Sequence, residues 1–230
     1  MAKASDRRTK PRPALSKGRV LRAAVELADE FGLESVSMRK LGQALRVEAM
    51  SLYKHVANRD AVLDGMVELV VGEIDWSAGS GSWRESLRQR ALATHAVLMR
   101  HPWACMLIAS RVNVGPAMLH YADATLGCMR RAGFSHALAD HAWNAMDSYV
   151  YGFTLQRLNF PLRPSEYVSA AKSFLPQIPP TEFPHLHGLA RQVIDGRHDG
   201  LHDLSFGLDL LLDGLERMAP APRAAVRGIQ

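Results

Sequence analysis

Cysteine is almost missing from this chain, with two in 230 residues. Cys105 and Cys128 stand apart, with no CxxC spacing and no secretory leader ahead of them, which argues against a disulfide scaffold and for reduced thiols in a cytoplasmic protein. Long apolar runs are missing too: no stretch of about 18 apolar residues exists to span a membrane. Nor does any stretch alternate polar and apolar residues with period two, so the chain is expected to be all-α. Catalytic signatures are equally scarce. There is no HExxH, no GxSxG and no dinucleotide fingerprint, and the Gly- and Ser-rich segment Ser77 to Ser82 lacks the lysine and hydroxyl residue that would make it a P-loop. Ser169-Ala-Ala-Lys172 matches S-x-x-K without the two companion signatures of that hydrolase class. The pairs His185/His187 and His198/His202 have metal-compatible spacing but lie in or beside a proline-rich stretch, where exposed histidine is the commoner explanation. No metal and no other cofactor is expected.

What is present is an ordinary globular composition, 47% hydrophobic, with an uneven charge. Residues 1–59 carry 13 Lys and Arg against 6 Asp and Glu, while residues 60–230 carry 15 against 17. A basic head on a near-neutral body fits nucleic-acid binding, although a basic terminus can also be a solvated tail. Residues 1–14 combine basic residues and prolines with little that is apolar, and read as a disordered arm able to reach a minor groove or merely to solubilise.

Helical periodicity then organises the chain. Ser16 is placed to cap a first helix with Val20, Ala24, Leu27, Ala28 and Phe31 as its stripe, ended by Gly32. Asn58 caps a later helix whose face is Val62, Leu63, Met66, Val70 and Ile74. Beyond the Ser77 to Ser82 joint, helices are expected over 83–100, 103–111, 117–131 and, capped by Ser135, to about residue 159. Prolines interrupt the next segment, leaving short helices near 166–175 and 186–195, and a leucine-rich helix runs over about 201–218 before a disordered tail, 219–230.

The most informative stretch is Val36 to Asn58. Ser37 is a good N-cap, with Val36 and Leu41 placed as a hydrophobic staple, and Leu41, Ala44 and Leu45 share one side of the helix that follows. The pattern breaks at Arg46-Val47-Glu48. A second short run, Ala49 to Val56, turns Leu52 and Val56 inward and leaves Ala49, Met50, Ser51, Tyr53, Lys54 and His55 outside. This is the layout of a helix-turn-helix, whose second helix enters the major groove. A helical hairpin with a solvated polar face would share the same spacing.

The phrases SVSMRKLGQAL, SLYKHV and NRDAVLDGM make residues 15 to 74 resemble the DNA-binding domain of the tetracycline-repressor (TetR) family of bacterial regulators. HPWA at His101, AGFS at Ala132 and DSYVYGF at Asp147 resemble the ligand-binding domain of the tetracycline-repressor branch itself, so the likeness spans nearly the whole chain. It implies a helix-turn-helix DNA-binding domain over 15–76 and a ligand-binding and dimerisation domain over 83–218. It also implies contacts to operator DNA: Ser37, Arg39, Tyr53, His55 and Arg59 on phosphates, Ala49, Met50, Ser51 and Lys54 on bases, with Lys40 beside them. Arg46 stands where the family often carries glycine. The family's pocket residues would be Trp103, Met106, Leu107, Met118, Tyr121, Met129 and Trp143, with Asn144 and Asp147 as polar groups, suiting an apolar or aromatic effector. A homodimer would form through Ala142, Ala145, Tyr149, Gly152 and Phe153 of one helix and Leu204, Leu208, Leu211, Leu212 and Leu215 of the last. The histidine through which the tetracycline repressor holds its magnesium chelate falls near Ala109 or Ser110 here, which argues against tetracycline and magnesium. The function implied is a ligand-released repressor; an activator of the same fold, a nucleoid-type protein, a helical enzyme or a small-molecule binder would be the alternatives.

Overall fold

The protein is described here by a computed structural model covering residues 14–75 and 81–219. The arm before Ala14, most of the expected joint (76–80) and the tail beyond 219 lie outside the described residues. Among those residues every regular element is helical: α1 (Lys17–Phe31), α2 (Met38–Leu45), α3 (Ala49–Leu52), α4 (Arg59–Val71), α5 (Trp83–Arg100), α6 (Ala104–Ala109), α7 (Pro116–Arg131), α8 (His136–Asn159), α9 (Tyr167–Phe174), α10 (Pro184–Ile194) and α11 (Leu204–Met218). No helix among them is long and apolar enough to cross a membrane.

Two compact units emerge. The first takes the described residues up to 73 together with 100–121, and the second takes 74–75 and 81–99 together with 122–219. The sequence had assigned α6 and the start of α7 to the body. They group instead with the head because α1 and α4 hold them by side chains described below.

In the first unit, Ser16 Oγ accepts from the Arg19 amide at 3.3 Å and starts α1, and Asn58 Oδ1 accepts from the Ala61 amide at 2.8 Å and starts α4. Val20, Leu21, Ala24 and Ala28 of α1 are buried, as are Val36, Leu41, Leu52, Val56, Val62 and Met66, and α1 packs on α2 and α4. Each fully buried leucine there contributes about 1.5–3 kcal/mol over an exposed one. Phe31, expected in that stripe, lies on the last residue of α1 with nothing covering it and is 62% exposed. Ile74 falls beyond the end of α4 and is only half-buried.

In the second unit, Ser135 Oγ caps α8 through the Leu138 amide at 3.1 Å. Ala139, Ala142, Met146 and Val150 of α8 form its buried stripe, packed with Leu87 and Ala91 of α5, Met129 and Phe134, and Leu208, Leu212 and Leu215 of α11. Of the α8 residues that the resemblance assigned to a dimer face, Ala142 lies in this stripe, Ala145 is exposed, and Tyr149, Gly152 and Phe153 are half-buried. α8 carries apolar residues on two faces, and periodicity alone does not say which faces inward. α9 and α10 match the expected short helices and pack on one another. α11 begins at Leu204, not Leu201, because Asp203 accepts from the Ser205 amide at 2.8 Å and sets the cap there.

Candidate nucleic-acid interface

The helix-turn-helix is assembled by local chemistry. Ser37 Oγ accepts from the Lys40 amide at 3.3 Å, so α2 starts where the sequence placed it. It ends in a Schellman turn: the Val47 amide donates to the Gly42 carbonyl at 2.9 Å and the Arg46 amide to the Gln43 carbonyl at 3.1 Å. Arg46 sits at the turn's left-handed position, φ 56° and ψ 48°, the one non-glycine residue with positive φ among the described residues. Gly42 is the residue that sequence reading missed. A Cβ there would stand 2.8 Å from the Val47 carbonyl oxygen and 3.2 Å from the Ala49 nitrogen, so the turn and the start of α3 press directly on the α2 backbone. Ala44, expected inside, is exposed, and Gly42 takes the buried place. The available signal was a glycine in the middle of a periodic helix, which marks close backbone approach.

The second helix is shorter than expected. Regular α3 spans Ala49–Leu52, and the rest of the run to Val56 is a hydrogen-bonded turn in which the amides of His55 and Val56 both donate to the Leu52 carbonyl, at 2.8 and 3.0 Å. Leu52 and Val56 are buried, as the spacing predicted. Met50 is 74% exposed and Tyr53 45% exposed, Lys54 is exposed, and Ala49, Ser51 and His55 are half-buried. Arg39 and Lys40 are exposed at the start of α2. Arg59 departs from a pure phosphate contact, since its Nε donates to the Val36 carbonyl at 2.8 Å and ties α4 to the entry of α2.

Carboxylates hold the remaining elements of this unit together. Asp29 of α1 accepts from the Trp103 indole nitrogen at 2.7 Å and faces His101 Nδ1 at 2.8 Å, while His101 Nε2 lies 3.1 Å from Glu73. Burial pushes the Glu73 carboxyl up, but its bonds to Arg100 and His101, with their charges, outweigh burial and hold it below the usual value. Farther along α4, Asp64 and Asp60 accept from Arg111 at 2.8 and 3.3 Å, and Glu68 receives the amides of Ala117 and Met118 at 2.7 and 3.3 Å.

The residues assigned to a ligand pocket are not brought together by either unit. Trp103, Met106, Leu107, Met118 and Tyr121 belong to the first unit, and Met129, Trp143, Asn144 and Asp147 to the second. Trp103 is buried with its N–H committed to Asp29, Met106 is largely exposed, and Met129 is fully buried in the second unit's core. Asn144 donates to the Asp140 carbonyl at 3.0 Å. Asp147 is the centre of a polar seam: it accepts from the buried Arg90 at 2.7 Å, from the Trp143 indole at 2.7 Å and from the Tyr151 hydroxyl at 3.4 Å. About two turns beyond Asp147, the Thr154 hydroxyl donates to the Val150 carbonyl, so it accepts from the His95 Nδ1–H, 2.8 Å away. Burial, and after it the charge of Arg157, holds the His95 imidazole below its ordinary value.

The dimer residues need a similar correction. Ala142, Leu204, Leu208, Leu212 and Leu215 are buried inside a single chain, leaving little or no surface for a second one. The exposed apolar side chains of α11 are instead Phe206 (72%), Leu210 (58%) and Met218 (61%).

Comparison with known proteins decides the family. The model of bacterial regulatory proteins of the tetR family matches residues 20–66, and that of the tetracyclin repressor-like C-terminal domain matches 77–219. The chain belongs to the TetR family. An HTH-type transcriptional regulator from Saccharopolyspora erythraea is 36% identical over 148 residues, 64% of this chain and 63% of the relative, so the match spans less than two thirds of that protein. The HTH-type transcriptional repressor DrrR1 of Streptomyces coeruleorubidus is 31% identical over 216 residues, covering 90% of this chain and 79% of the relative. In structure, the Streptomyces coelicolor TetR-family protein ActR, solved in complex with actinorhodin, superposes with a TM-score of 0.75 at 26% identity, covering 89% of this chain and 97% of that one. At the end of α6, Ala109 is exposed and the Ser110 hydroxyl donates to the Leu107 carbonyl at 3.4 Å.

Proposed function

We propose that this TetR-family chain is a repressor that binds a palindromic operator as a homodimer and is released by a small apolar or aromatic molecule. The observation that carries the reading is the exposed Met50, Tyr53 and Lys54 face on the short second helix of a helix-turn-helix and the turn that continues it, where nothing in the fold requires an exposed methionine beside a tyrosine. In this reading Ala49, Met50, Ser51 and Lys54 meet base edges, while Ser37, Arg39, Lys40, Tyr53, His55 and the free Nη groups of Arg59 meet phosphates. The named repressor among its relatives and the actinorhodin complex of ActR support repression and a small-molecule effector. Such an effector acts by preferring the form whose heads do not fit DNA, since equal affinity for both forms shifts nothing.

The dimer would be a four-helix bundle of α8 and α11 from each copy, joined through Phe206, Leu210 and Met218. The two heads then stand about 34–36 Å apart, one turn of DNA, or a close multiple. Operation on DNA places the protein in the cytoplasm.

Electrophoretic mobility shift with DNA from upstream of its own coding region tests the reading. Tyr53→Ala weakens binding to all sequences alike, whereas Met50→Ala and Lys54→Ala change which sequence is preferred. Unchanged affinity and preference in all three variants would remove α3 from the interface. A missing shift with every palindromic fragment, for the folded wild-type dimer, would overturn the repressor reading.

A further inference from the structure

At the end of α8, in the second unit, lies a groove of about 440 Å³, inside the size range of small-molecule sites. Its walls are aromatic: Phe153 on α8, Phe160 just past it and Tyr167 at the start of α9. Phe160 and Tyr167 meet edge to face with ring centroids 5.6 Å apart, and Phe153 is fixed in the same manner by His95 at 5.7 Å. Tyr167 is seated by Gly200, where φ is 72° and a Cβ would stand 2.9 Å from the ring, so only glycine suits the position. These walls are preorganised for a flat ring system.

The polar groups of the groove carry one guanidinium and no carboxylate, with Asn159 among them. Gln156, Arg157 and His202 line it, and no acidic residue does. Among the described residues no carboxylate lies within ion-pair distance of Arg157, in contrast with Arg84, Arg88, Arg100 and Arg111, which all hold one. Its positive charge is felt as far as His95. We infer that this groove is a binding site for a planar aromatic carboxylate of two or three rings, stacked among Phe153, Phe160 and Tyr167 with its anionic group on Arg157. Charge-assisted, bidentate pairing of guanidinium with carboxylate supplies the selectivity, and the rings supply the area. The site is independent of the repressor reading, because occupancy is defined without DNA.

The test is calorimetric titration of the full chain, free of DNA, with 2-naphthoate and its neutral analogue 2-naphthalenemethanol. Naphthoate is expected to bind at least tenfold more tightly than the alcohol. Arg157→Gln should bring naphthoate down to the level of the alcohol and leave the alcohol unchanged, Arg157→Lys should keep part of the difference, and Phe160→Ala should weaken both probes. Arg157 and Phe160 are exposed, so the variants should keep the wild-type circular dichroism and elution volume. Equal binding of the two probes, no binding of naphthoate, or naphthoate binding that neither Arg157→Gln nor Phe160→Ala alters would each overturn the assignment.

Discussion

The Ala117 amide donates to the Glu68 carboxylate at 2.7 Å, so the first turn of α7 is capped by a side chain of α4 rather than by its own sequence. Pro116 opens the helix without an N–H to satisfy, and Glu68 takes the next two amides. Glu68→Ala is expected to cost about 1 kcal/mol, the usual worth of an N-cap. Urea denaturation measures the loss, and hydrogen exchange at the Ala117 and Met118 amides should accelerate specifically. Protection unchanged at both amides would show that the cap carries no energy.

Arg46 in the left-handed region stores strain in the turn between α2 and α3. Arg46→Gly should raise the melting temperature, with a gain of up to about 1 kcal/mol, because only glycine adopts this conformation freely. The Schellman bonds of Val47 and Arg46 are made by backbone and survive the change. A lowered melting temperature would mean that the arginine side chain stabilises the turn by more than the backbone strain costs.

Stability should decline as pH falls below about neutrality. Burial first, and Arg157 second, depress the His95 pKa below its ordinary 6.5, so the folded state takes up a proton less readily than the unfolded chain. From 6.5 downward the unfolded chain charges first, and stability drops until the folded pKa is passed; above 6.5 the effect is absent. Chemical denaturation across pH 7 to 5 should show a shallower decline in His95→Gln than in the wild type. Parallel curves would remove His95 from the pH response.

Assembly and folding should separate along α11. Leu210→Asp places a charge on an exposed apolar position and should yield a folded monomer that no longer binds a full palindrome, whereas Leu212→Asp buries a charge in the core and should unfold the second unit. Analytical ultracentrifugation with circular dichroism distinguishes the two. A Leu210→Asp protein that remains a dimer would take this face out of the interface.

Much of this was legible in the sequence because the signals were local. Ser16, Ser37, Asn58 and Ser135 all cap the helices they precede, and Arg46 takes the left-handed conformation its place in the turn demands. Face assignment was harder. Leu208 and Leu212 on one side of α11 and Phe206 and Leu210 on another repeat with the same helical period, and only the packed structure tells core from surface. The holding of α6 and α7 by Asp29, Asp60, Asp64 and Glu68 was invisible for a different reason: those pairs lie dozens of residues apart, and an exposed-looking carboxylate carries no sequence mark of its distant partner.

α11 answers to three sets of neighbours at once. Leu208 and Leu212 fill the core, Asp209, Asp213 and Glu216 are gripped by Arg84 and Arg88 of α5, and Phe206, Leu210 and Met218 form a stripe of their own, with Gly214 unobstructed between the last two. Because the third set is separate from the other two, its side chains can change without disturbing the core or the ion pairs. With the dimer proposed above, a duplicated copy of this gene could acquire a private partner by altering three or four side chains of that stripe, and the paralogues would then regulate without forming mixed pairs.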